Sequence, residues 1–490
     1  MSILLTCWMQ SSARRDVVRV PRPLRVGVAV AVLILGTSHA LVAQADTSRV
    51  APLRLADVYA EMVKRSPRVE AARQRARAAE ARVPGSRRLP DPQVQLGFMN
   101  YGVPSLRPME TLGMNQVQIT QMLPLNGKLA AAGRAADAQA AAERSRAADT
   151  RWEQRASAAA AFYDLYQLDR SIEVASESRR LMQDLASIAE SMYRVGEGRQ
   201  ADVLRAQVEV ARMDEEIIRM RAMREAASAR LAALLDRPVE PALPPVQLPS
   251  YPAALPRVDS LQRAAAASRP MIQSGEQEVR AAEASELLAR KEIWPDFEIG
   301  VQYGQRRAVA SADPTAMSSG TDRMASLMVG ASVPIFARSR QLKMREEAVA
   351  MRRMASADLA AMRSDTRGSV AEAFADLSRA RALQLLYRTT ILPQAEASVT
   401  SSLSAYRVGS VPFMTVLDSR TTVNRFRQEL AVLEADEGRA WAELEMLVGR
   451  SLVDSTSEPP DSRDLPPAPT SPDAPTHSSI LRDASRRGLR

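Results

Sequence analysis

The chain has 490 residues, of which 46% are hydrophobic but only 4% aromatic, and its formal net charge is +9. Residues 1–45 contribute +4 of that charge, and the rest is too dispersed to form the basic, aromatic-rich surface on which single-stranded nucleic acids stack. Both histidines and the single cysteine lie near the chain ends, at His39, His477 and Cys7. The body therefore excludes His or Cys nucleophile–base pairs and His/Cys metal cages, and we expect no enzyme and no cofactor.

The first 45 residues have the pattern of a secretory signal peptide. Arg22 and Arg25 precede an apolar run, Val26–Gly36, and residues 43–45 (Ala-Gln-Ala) fit a small-x-small cleavage site. The alternative is an N-terminal anchor helix, but the run is short for a bilayer span of about 20 residues. We therefore predict an exported chain from which the segment carrying Cys7 is removed.

Two copies of one unit follow, over residues 46–237 and 257–450. The sequence Tyr-Arg-Val-Gly at 193–196 recurs at 406–409, and in both copies Val-Leu follows ten residues after the tyrosine. Between the units, residues 238–256 contain seven prolines, which predicts an extended linker. After residue 450 the chain turns to Pro, Ser, Asp and Thr, which predicts a disordered tail over 451–490.

Each unit contains two segments in which apolar and polar residues alternate, a pattern typical of β-strands. Nine residues is close to the length of a tilted membrane-spanning strand, but a half-buried hairpin of a soluble protein has the same alternation. The alternation by itself therefore leaves both interpretations open. The predicted strands are 93–101 and 115–123 (hairpin 93–123), and 296–304 and 325–333 (hairpin 296–333).

Long helices are predicted between and after the hairpins. Because no proline occurs between Pro124 and Pro238, residues 125–192 are predicted as one helix on the order of 100 Å long. The helix after each Tyr-Arg-Val-Gly carries a seam at steps of 3 and 4, which indicates coiled-coil packing rather than two unrelated amphipathic helices. Both seams break at the same step, at Arg224 and Glu437, whose mutual pairing is a hypothesis. The seams are Val203, Ala206, Val210, Met213, Ile217, Met220, Arg224, Ala227, Leu231, Leu234, and Val416, Ser419, Val423, Phe426, Leu430, Leu433, Glu437, Ala440, Leu444, Leu447.

The strand count constrains how such a chain crosses a membrane. An exported chain without a membrane helix spans a bilayer only as a closed β-barrel, and four strands are too few, since the smallest barrels have eight. Two chains supply eight strands, whose side chains fill the interior, whereas three supply twelve and leave a lumen. The loops 102–114 and 305–324 would then face outside, and the turns at 193–201 and 406–414 would form the opposite end.

With this layout, with Leu-Pro-Leu-Asn-Gly-Lys after the second strand and with the two repeated turns, the chain resembles the outer-membrane efflux protein family exemplified by TolC over residues 53–450. The resemblance implies a mainly α protomer with a small β part. It implies a homotrimer in which a 12-stranded β-barrel in outer-membrane lipid is continued by an α-helical barrel in the periplasm. It also implies a periplasmic adaptor (membrane fusion) protein and an inner-membrane pump, of the resistance-nodulation-division type.

The family's end-of-helix motifs map onto the two turns. Val195 and Gly196, and likewise Val408 and Gly409, match the tips that an adaptor hairpin contacts. Glycine suits those positions because the turn is expected to need a positive φ.

Further residues match the family's periplasmic aperture. Asp418 matches an acid that forms a ring of carboxylates, and Thr415 replaces a second acid of that ring. Asp202 and Tyr406 match a polar latch whose arginine is replaced by Val411. The alternative for Asp202, Thr415 and Asp418 is that each caps a helix N-terminus.

The sequence favours a passive exit duct for small molecules or metal ions, driven by a partner, since it contains no phosphate-binding loop. The alternatives are the outer-membrane duct of a type I protein secretion system, or a soluble periplasmic coiled-coil adaptor or scaffold. The 22 methionines are open to two interpretations, packing in helix seams or contact with soft metal ions.

Overall fold

The computed structural model describes residues 52–99, 101–102, 107–108, 114–238, 243–306 and 323–453. The predicted signal peptide, most of the two strand-connecting loops and the tail beyond residue 453 lie outside the described residues. A π-helical turn at Tyr387–Ile391 joins the seventh helix to the eighth. The helices are α1 (Leu55–Arg65), α2 (Pro67–Arg87), α3 (Lys128–Arg194), α4 (Gln200–Leu234), α5 (Val258–Ser268), α6 (Pro270–Lys291), α7 (Gln341–Leu386), α8 (Leu392–Arg407) and α9 (Phe413–Val448).

Two helices precede the hairpin of each repeat. The breaks fall at Ser66, between α1 and α2, and at Arg269, between α5 and α6. Each of these residues precedes a proline, which disfavours the helical conformation and offers no N–H to the preceding turn. Both are accordingly extended, with ψ of 117° and 120°.

The long helix α3 has 67 residues and begins three residues later than predicted. Asn126 and Gly127 have φ of 61° and 72°, which lie in the left-handed region and cannot continue a right-handed helix. The helix therefore starts at Lys128, whose buried ammonium donates to the Trp294 carbonyl at 2.9 Å and the Asp296 carboxylate at 2.8 Å. These bonds fasten the start of the first repeat's helix to the second repeat's strand.

The four predicted strands are confirmed and form one antiparallel sheet. Its strands are β2 (Gln93–Met99), β5 (Met114–Leu123), β7 (Asp296–Arg306) and β8 (Arg323–Ser332), in the order β2–β5–β7–β8. The central β5–β7 pair joins the two repeats, and β2 and β8 are the edges. The first strand ends earlier than predicted, and a separate two-residue ribbon follows it, formed by β3 (Tyr101–Gly102) and β4 (Arg107–Pro108).

The sheet exposes its apolar face, the reverse of a hairpin packed on a soluble core. In register across the four strands lie Val94, Ile119, Val301 and Leu327, and these side chains are 50–72% exposed. On the opposite face of β5 the polar side chains are less exposed, and Thr120 is buried. No described helix covers the apolar side chains, so the surface they form is available to an apolar environment.

The helices form a single layer that runs away from the sheet. Near the sheet, α2 packs on α3, α3 on α6, and α6 on α7. Farther away, α4 and α9 both pack on α3, and α9 also packs on α7 and α8. The predicted seams of α4 and α9 are confirmed, since every one of their positions is buried or half-buried.

The hypothesis that Arg224 pairs with Glu437 is wrong. Arg224 forms its ion pair with Asp169 on α3, within its own repeat. Glu437 accepts from Arg381 on α7 at 2.7 Å and from Gln384 at 3.0 Å, again within its own repeat. Each seam break is therefore neutralised by the long helix beside it, because that helix brings an opposite charge to the same height.

The same two guanidinium groups hold the linker, which is described from residue 243. Arg224 donates to the Leu243 carbonyl at 3.0 Å, and Arg381 donates to the carbonyls of Pro252 and Ala253 at 2.7 and 3.1 Å. Between these points, the linker strand β6 (Val246–Gln247) pairs in parallel with β1 (Leu53–Arg54). The linker thus lies beside the middle of the helical layer, fixed once by each repeat.

Among the described residues, no helix is both long and apolar enough to cross a membrane.

Candidate functional site

Two helix reversals lie at the end of the helical layer farthest from the sheet. The first connects α3 to α4, and its Gly196 has φ 82° and donates to the Tyr193 carbonyl at 3.1 Å. The second connects α8 to α9, and its Gly409 has φ 72° and donates to the Tyr406 carbonyl at 2.9 Å. The expectation of a positive φ at both glycines is confirmed, and it follows from the left-handed turn that ends each helix.

The outer surface of both reversals is open. Val195 and Val408 are 70% and 80% exposed. A Cβ added at Gly196 or Gly409 would meet no atom within 4 Å. The glycines are thus required by backbone conformation and not by crowding, which leaves each Val-Gly pair free for contact with another surface.

A shared hydrophobic cluster beneath the reversals joins the two repeats. Tyr406 and Phe413 pack edge to face, with ring centroids 5.7 Å apart, and both are buried. Because this cluster contains residues from α3, α4, α8 and α9, the two reversals are held at a fixed separation. Its buried members are Met182, Leu185, Ala189, Ala206, Met213, Tyr406, Phe413, Val416 and Leu417.

The predicted latch residues Asp202 and Tyr406 lie near each other across the repeat boundary, but no hydrogen bond links them. Burial, and then the nearby Asp202 carboxylate, raise the pKa of Tyr406 above its ordinary value. The Tyr406 hydroxyl is buried without a hydrogen-bond partner among the described residues. Val411, in the position of the family's latch arginine, packs half-buried against the cluster instead of offering a donor.

The predicted aperture residues Thr415 and Asp418 lie on α9 one turn apart, and both are exposed. Within the described residues their side chains take part in no hydrogen bond or ion pair, although their backbone carbonyls accept from Ser419 and Thr421. An unpaired, exposed carboxylate is accessible to a passing ion.

The alternative that these residues cap helices is wrong. The N-cap of α4 is Arg199, and Asp202 is the third helical residue. The N-cap of α9 is Pro412, which places Thr415 third and Asp418 sixth in the helix. Neither N-cap residue makes a side-chain capping bond, so the polar residues nearby are not explained by that role.

Sequence reasoning missed a basic pair beside the aperture residues. Arg427 binds Glu177 at 2.9 Å and Glu396 at 2.7 Å, which ties α9 to α3 and α8. Arg420 is half-buried close by, and burial, followed by the charge of Arg427, lowers its pKa. The signal available in the sequence was the seven-residue spacing of two arginines on one helix, which by itself is common on a solvated face.

No group of three or more His, Cys, Asp or Glu side chains suited to holding a metal ion occurs in the part of the chain that the structure describes.

The two repeats, each with a hairpin and a glycine reversal, match one known protein family. Residues 58–237 and 261–450 match the outer membrane efflux protein family. The chain belongs to this family. Membership agrees with the expectation of a non-enzymatic protein, and with the resemblance drawn from the turns and strands.

Individual relatives of this efflux protein are distant. It is 24% identical over 294 residues to the pyoverdine export outer membrane protein OpmQ of Pseudomonas putida, and the alignment spans 58% of each protein. Its fold is similar to the outer-membrane channel OprN, with a TM-score of 0.68, 19% identity, and coverage of 81% of this chain and 89% of that one. For the outer membrane protein VceC of Vibrio cholerae the TM-score is 0.68, with 17% identity and coverage of 81% and 96%. The fold is therefore that of a TolC-like channel protomer.

Proposed function

We propose that this efflux protein forms the outer-membrane exit duct of a tripartite efflux system and passively conducts small molecules or metal ions. The observation that carries the proposal is the exposed apolar face of the sheet, exemplified by Leu96 and Leu327, which are 69% and 72% exposed. In water such a face would be an aggregation hazard, whereas against lipid it is stabilising. The opposite, polar face suits an aqueous lumen.

Closure of the sheet requires other copies of the chain. The edges β2 and β8 present unpaired backbone groups, which a membrane does not tolerate. Three copies joined edge to edge give twelve strands and a lumen, and closed cyclic symmetry leaves no free edge. The helical layers of the three copies then continue the lumen into the periplasm as an α-helical barrel.

The exposed Val-Gly pairs at 195–196 and 408–409 would contact a periplasmic adaptor protein. An inner-membrane pump of the resistance-nodulation-division type, linked through this adaptor, would supply the energy. Three copies of Asp418 around a threefold axis would form a carboxylate ring that favours cations and repels anions. Because Thr415 stands one turn away in place of a second acid, this ring would be less acidic than one with two carboxylates per chain. Asp202 and Tyr406 would belong to the latch that holds the tip closed, without the family's arginine.

Residues 1–45 would direct export and be removed, and residues 238–256 would link the repeats. The outer membrane is the expected location of the mature chain.

Fractionation of the cell envelope tests the duct directly. We expect the chain in the outer membrane as a trimer that survives mild detergent, and we expect a deletion strain to become hypersensitive to exported compounds. Growth inhibition is measured with copper, silver, zinc, cobalt and a panel of amphiphilic drugs and dyes. A chain found in the soluble periplasm would instead favour an adaptor or scaffold, and loss of a secreted protein without hypersensitivity would favour type I secretion.

The aperture is tested by Asp418→Asn. We expect altered cation selectivity of the purified trimer in planar bilayers, with an unchanged fold. Asp358→Asn, which removes an exposed carboxylate from α7, is the control. Equal selectivity in both variants would contradict the proposed ring.

A further inference from the structure

The polar face of the sheet has a restricted composition. The register assigns alternate residues of β2, β5, β7 and β8 to this face. Most of them are Gln, Ser, Thr, Gly or charged residues, as expected for a surface lining water. The apolar exceptions are all methionines, namely Met99, Met114, Met122, Met324 and Met328.

The opposite face has the complementary composition. Its apolar side chains are Val, Leu, Ile, Phe, Tyr and Ala, and none of its described residues is methionine. If the polar face needed only apolar bulk, Leu or Ile would serve as well, because they bury a similar volume. The segregation therefore points to sulfur, the property that distinguishes methionine from the other apolar side chains.

The methionines are spread along the strand direction. Met99 and Met114 are cross-strand partners at one end of the sheet, Met324 and Met328 follow, and Met122 lies near the other end. Successive rows on one face are about 7 Å apart, so neighbouring thioethers are one or two rows from each other. Because Met324 and Met328 lie on β8, two strands from Met114 and Met122 on β5, the backbone positions of these two groups are also about 10 Å apart across the sheet.

The glycines of β7 leave room for these side chains. A Cβ added at Gly304 would lie 2.9 Å from the Met114 sulfur, and one at Gly300 would lie 3.5 Å from the Met328 methyl group. Thioethers therefore lie against the sheet instead of projecting across the space in front of it. Met99, Met122 and Met324 remain 42–45% exposed, so their sulfurs can be reached from solvent.

A second set of methionines lines a groove of about 630 Å³ on the helical layer. The groove touches α2, α3, α6 and α7. Its rim on α7 carries Met344, Met351 and Met354, which are 43–52% exposed, beside the Glu347 carboxylate. In the proposed trimer, this groove would line the lumen together with the polar face of the sheet.

We propose that these two thioether surfaces bind soft monovalent cations, of the Cu(I) and Ag(I) class, as cargo moving through the duct. Thioethers select such ions over hard cations, whose preferred ligands are carboxylates and water. Scattered single sulfurs bind weakly, which permits transfer from row to row without trapping the ion. The inference rests on the proposed duct, and it names the cargo class of that duct.

Silver binding by the purified full-length trimer tests the inference. The protein is dialysed to equilibrium against Ag(I) in chloride-free buffer, and its bound silver is measured by mass spectrometry. The test variant replaces all five sheet methionines by leucine, a change that roughly preserves volume. We expect it to bind about twofold less silver than the unmodified trimer, because the three groove methionines on α7 remain.

The control variant combines Met223→Leu and Met414→Leu, which remove exposed thioethers from α4 and α9 outside both surfaces. It should retain as much silver as the unmodified trimer, and Cys7, where retained, is common to all three proteins. Equal retention by the five-leucine variant, or an equal loss in the control, would overturn the inference.

A second measurement avoids substitution. X-ray absorption at the silver edge of the unmodified trimer should show sulfur neighbours, and a spectrum with only oxygen and nitrogen neighbours would overturn the inference even if the five-leucine variant fails to assemble. The deletion strain separates this inference from the duct itself. Hypersensitivity to drugs, with no silver bound by the trimer, removes the cation proposal and leaves the duct, whereas absence from the outer membrane removes the duct.

Discussion

In the middle of each repeat, a charged residue interrupts the apolar seam and forms an ion pair with the neighbouring long helix. The charge of that seam residue is positive in the first repeat and negative in the second. In the first, the seam of α4 breaks at Arg224, which pairs with Asp169 on α3. In the second, the seam of α9 breaks at Glu437, which pairs with Arg381 on α7. The arginine of the pair lies on the seam helix α4 in the first repeat and on the long helix α7 in the second. In both repeats its guanidinium also donates to the linker backbone. Packing position and the linker contact are preserved between the repeats, while the sign of the seam charge is not.

The two ion pairs differ in burial, and this difference sets the order of the expected effects. Glu437 is 8% exposed, whereas Asp169 is about one-fifth exposed and also accepts a bond from the Val246 N–H at 3.4 Å. A buried carboxylate that loses its partner cannot recover solvation, whereas a partly exposed one can.

Arg381→Met should have the largest effect. It leaves the Glu437 carboxylate buried with only Gln384 as donor and frees two linker carbonyls, at a cost of about 3 kcal/mol of unfolding free energy. Chemical unfolding of the purified protein, followed by circular dichroism, measures the loss. Arg379→Met, which breaks an exposed pair with Asp376, should cost less than about 0.5 kcal/mol. Similar losses in the two variants would show that burial is not decisive.

Arg224→Met should destabilise by about 1–2 kcal/mol, less than the change in the second repeat, because Asp169 can take up water and keeps its backbone donor. The same unfolding experiment applies. Arg219→Met, which removes an exposed partner of Glu215 on the same helix, is its matched control. A loss larger than that of Arg381→Met would reverse the comparison between the repeats.

The reversals, in contrast, should respond equally. Gly196→Ala and Gly409→Ala each place a Cβ on a residue with φ above 70°, which costs about 1 kcal/mol at either site. Gly368→Ala, in the middle of α7 with open space around it, should stabilise by about 0.5–1 kcal/mol. Thermal unfolding of the three variants checks both signs, and unequal losses at the two reversals would show that the tips differ in strain.

The smallest effect is expected at the repeated tyrosine. Tyr406→Phe removes a buried hydroxyl that lacks a partner, and it should change stability by less than about 1 kcal/mol at neutral pH. Because the folded state raises the Tyr406 pKa, the unfolded state ionises first as the pH passes about 10, and the unmodified protein loses stability there.

Tyr406→Phe should not show this part of the loss of stability at alkaline pH, because phenylalanine does not ionise. Tyr193→Phe is the control from the first repeat, since Tyr193 is 47% exposed. Melting temperatures between pH 8 and pH 11 check the difference. A Tyr406→Phe curve parallel to that of the unmodified protein over this interval would contradict a raised pKa of Tyr406 in the folded state.

Much of the fold was predictable because it depends on local patterns. Alternation along β5 and β7 located the sheet, and the absence of proline located α3. The break between α1 and α2 is also local, because Ser66 precedes a proline and the residue before a proline disfavours the helical conformation. These features need no knowledge of distant residues.

What could not be predicted depends on long-range packing. Arg224 lies 55 residues from its partner, and several acids at similar distances would have suited it equally. The tyrosines at 193 and 406 occur in identical motifs, yet one is exposed and the other is buried by Phe413 and its neighbours. Which face of the sheet stays uncovered likewise follows from the placement of helices, which the alternation does not encode.

The π-helical turn at Tyr387–Ile391 makes the two repeats unequal in stiffness between the sheet and the reversal. Between sheet and reversal, the first repeat has one unbroken helix of 67 residues, while the second has α7, the π-helical turn and α8, with Pro393 in the first turn of α8. Proline supplies no N–H, and a π turn weakens the regular ladder of hydrogen bonds. A force applied at the tips would therefore bend the second repeat at the junction of α7 and α8, while α3 of the first repeat stays straight.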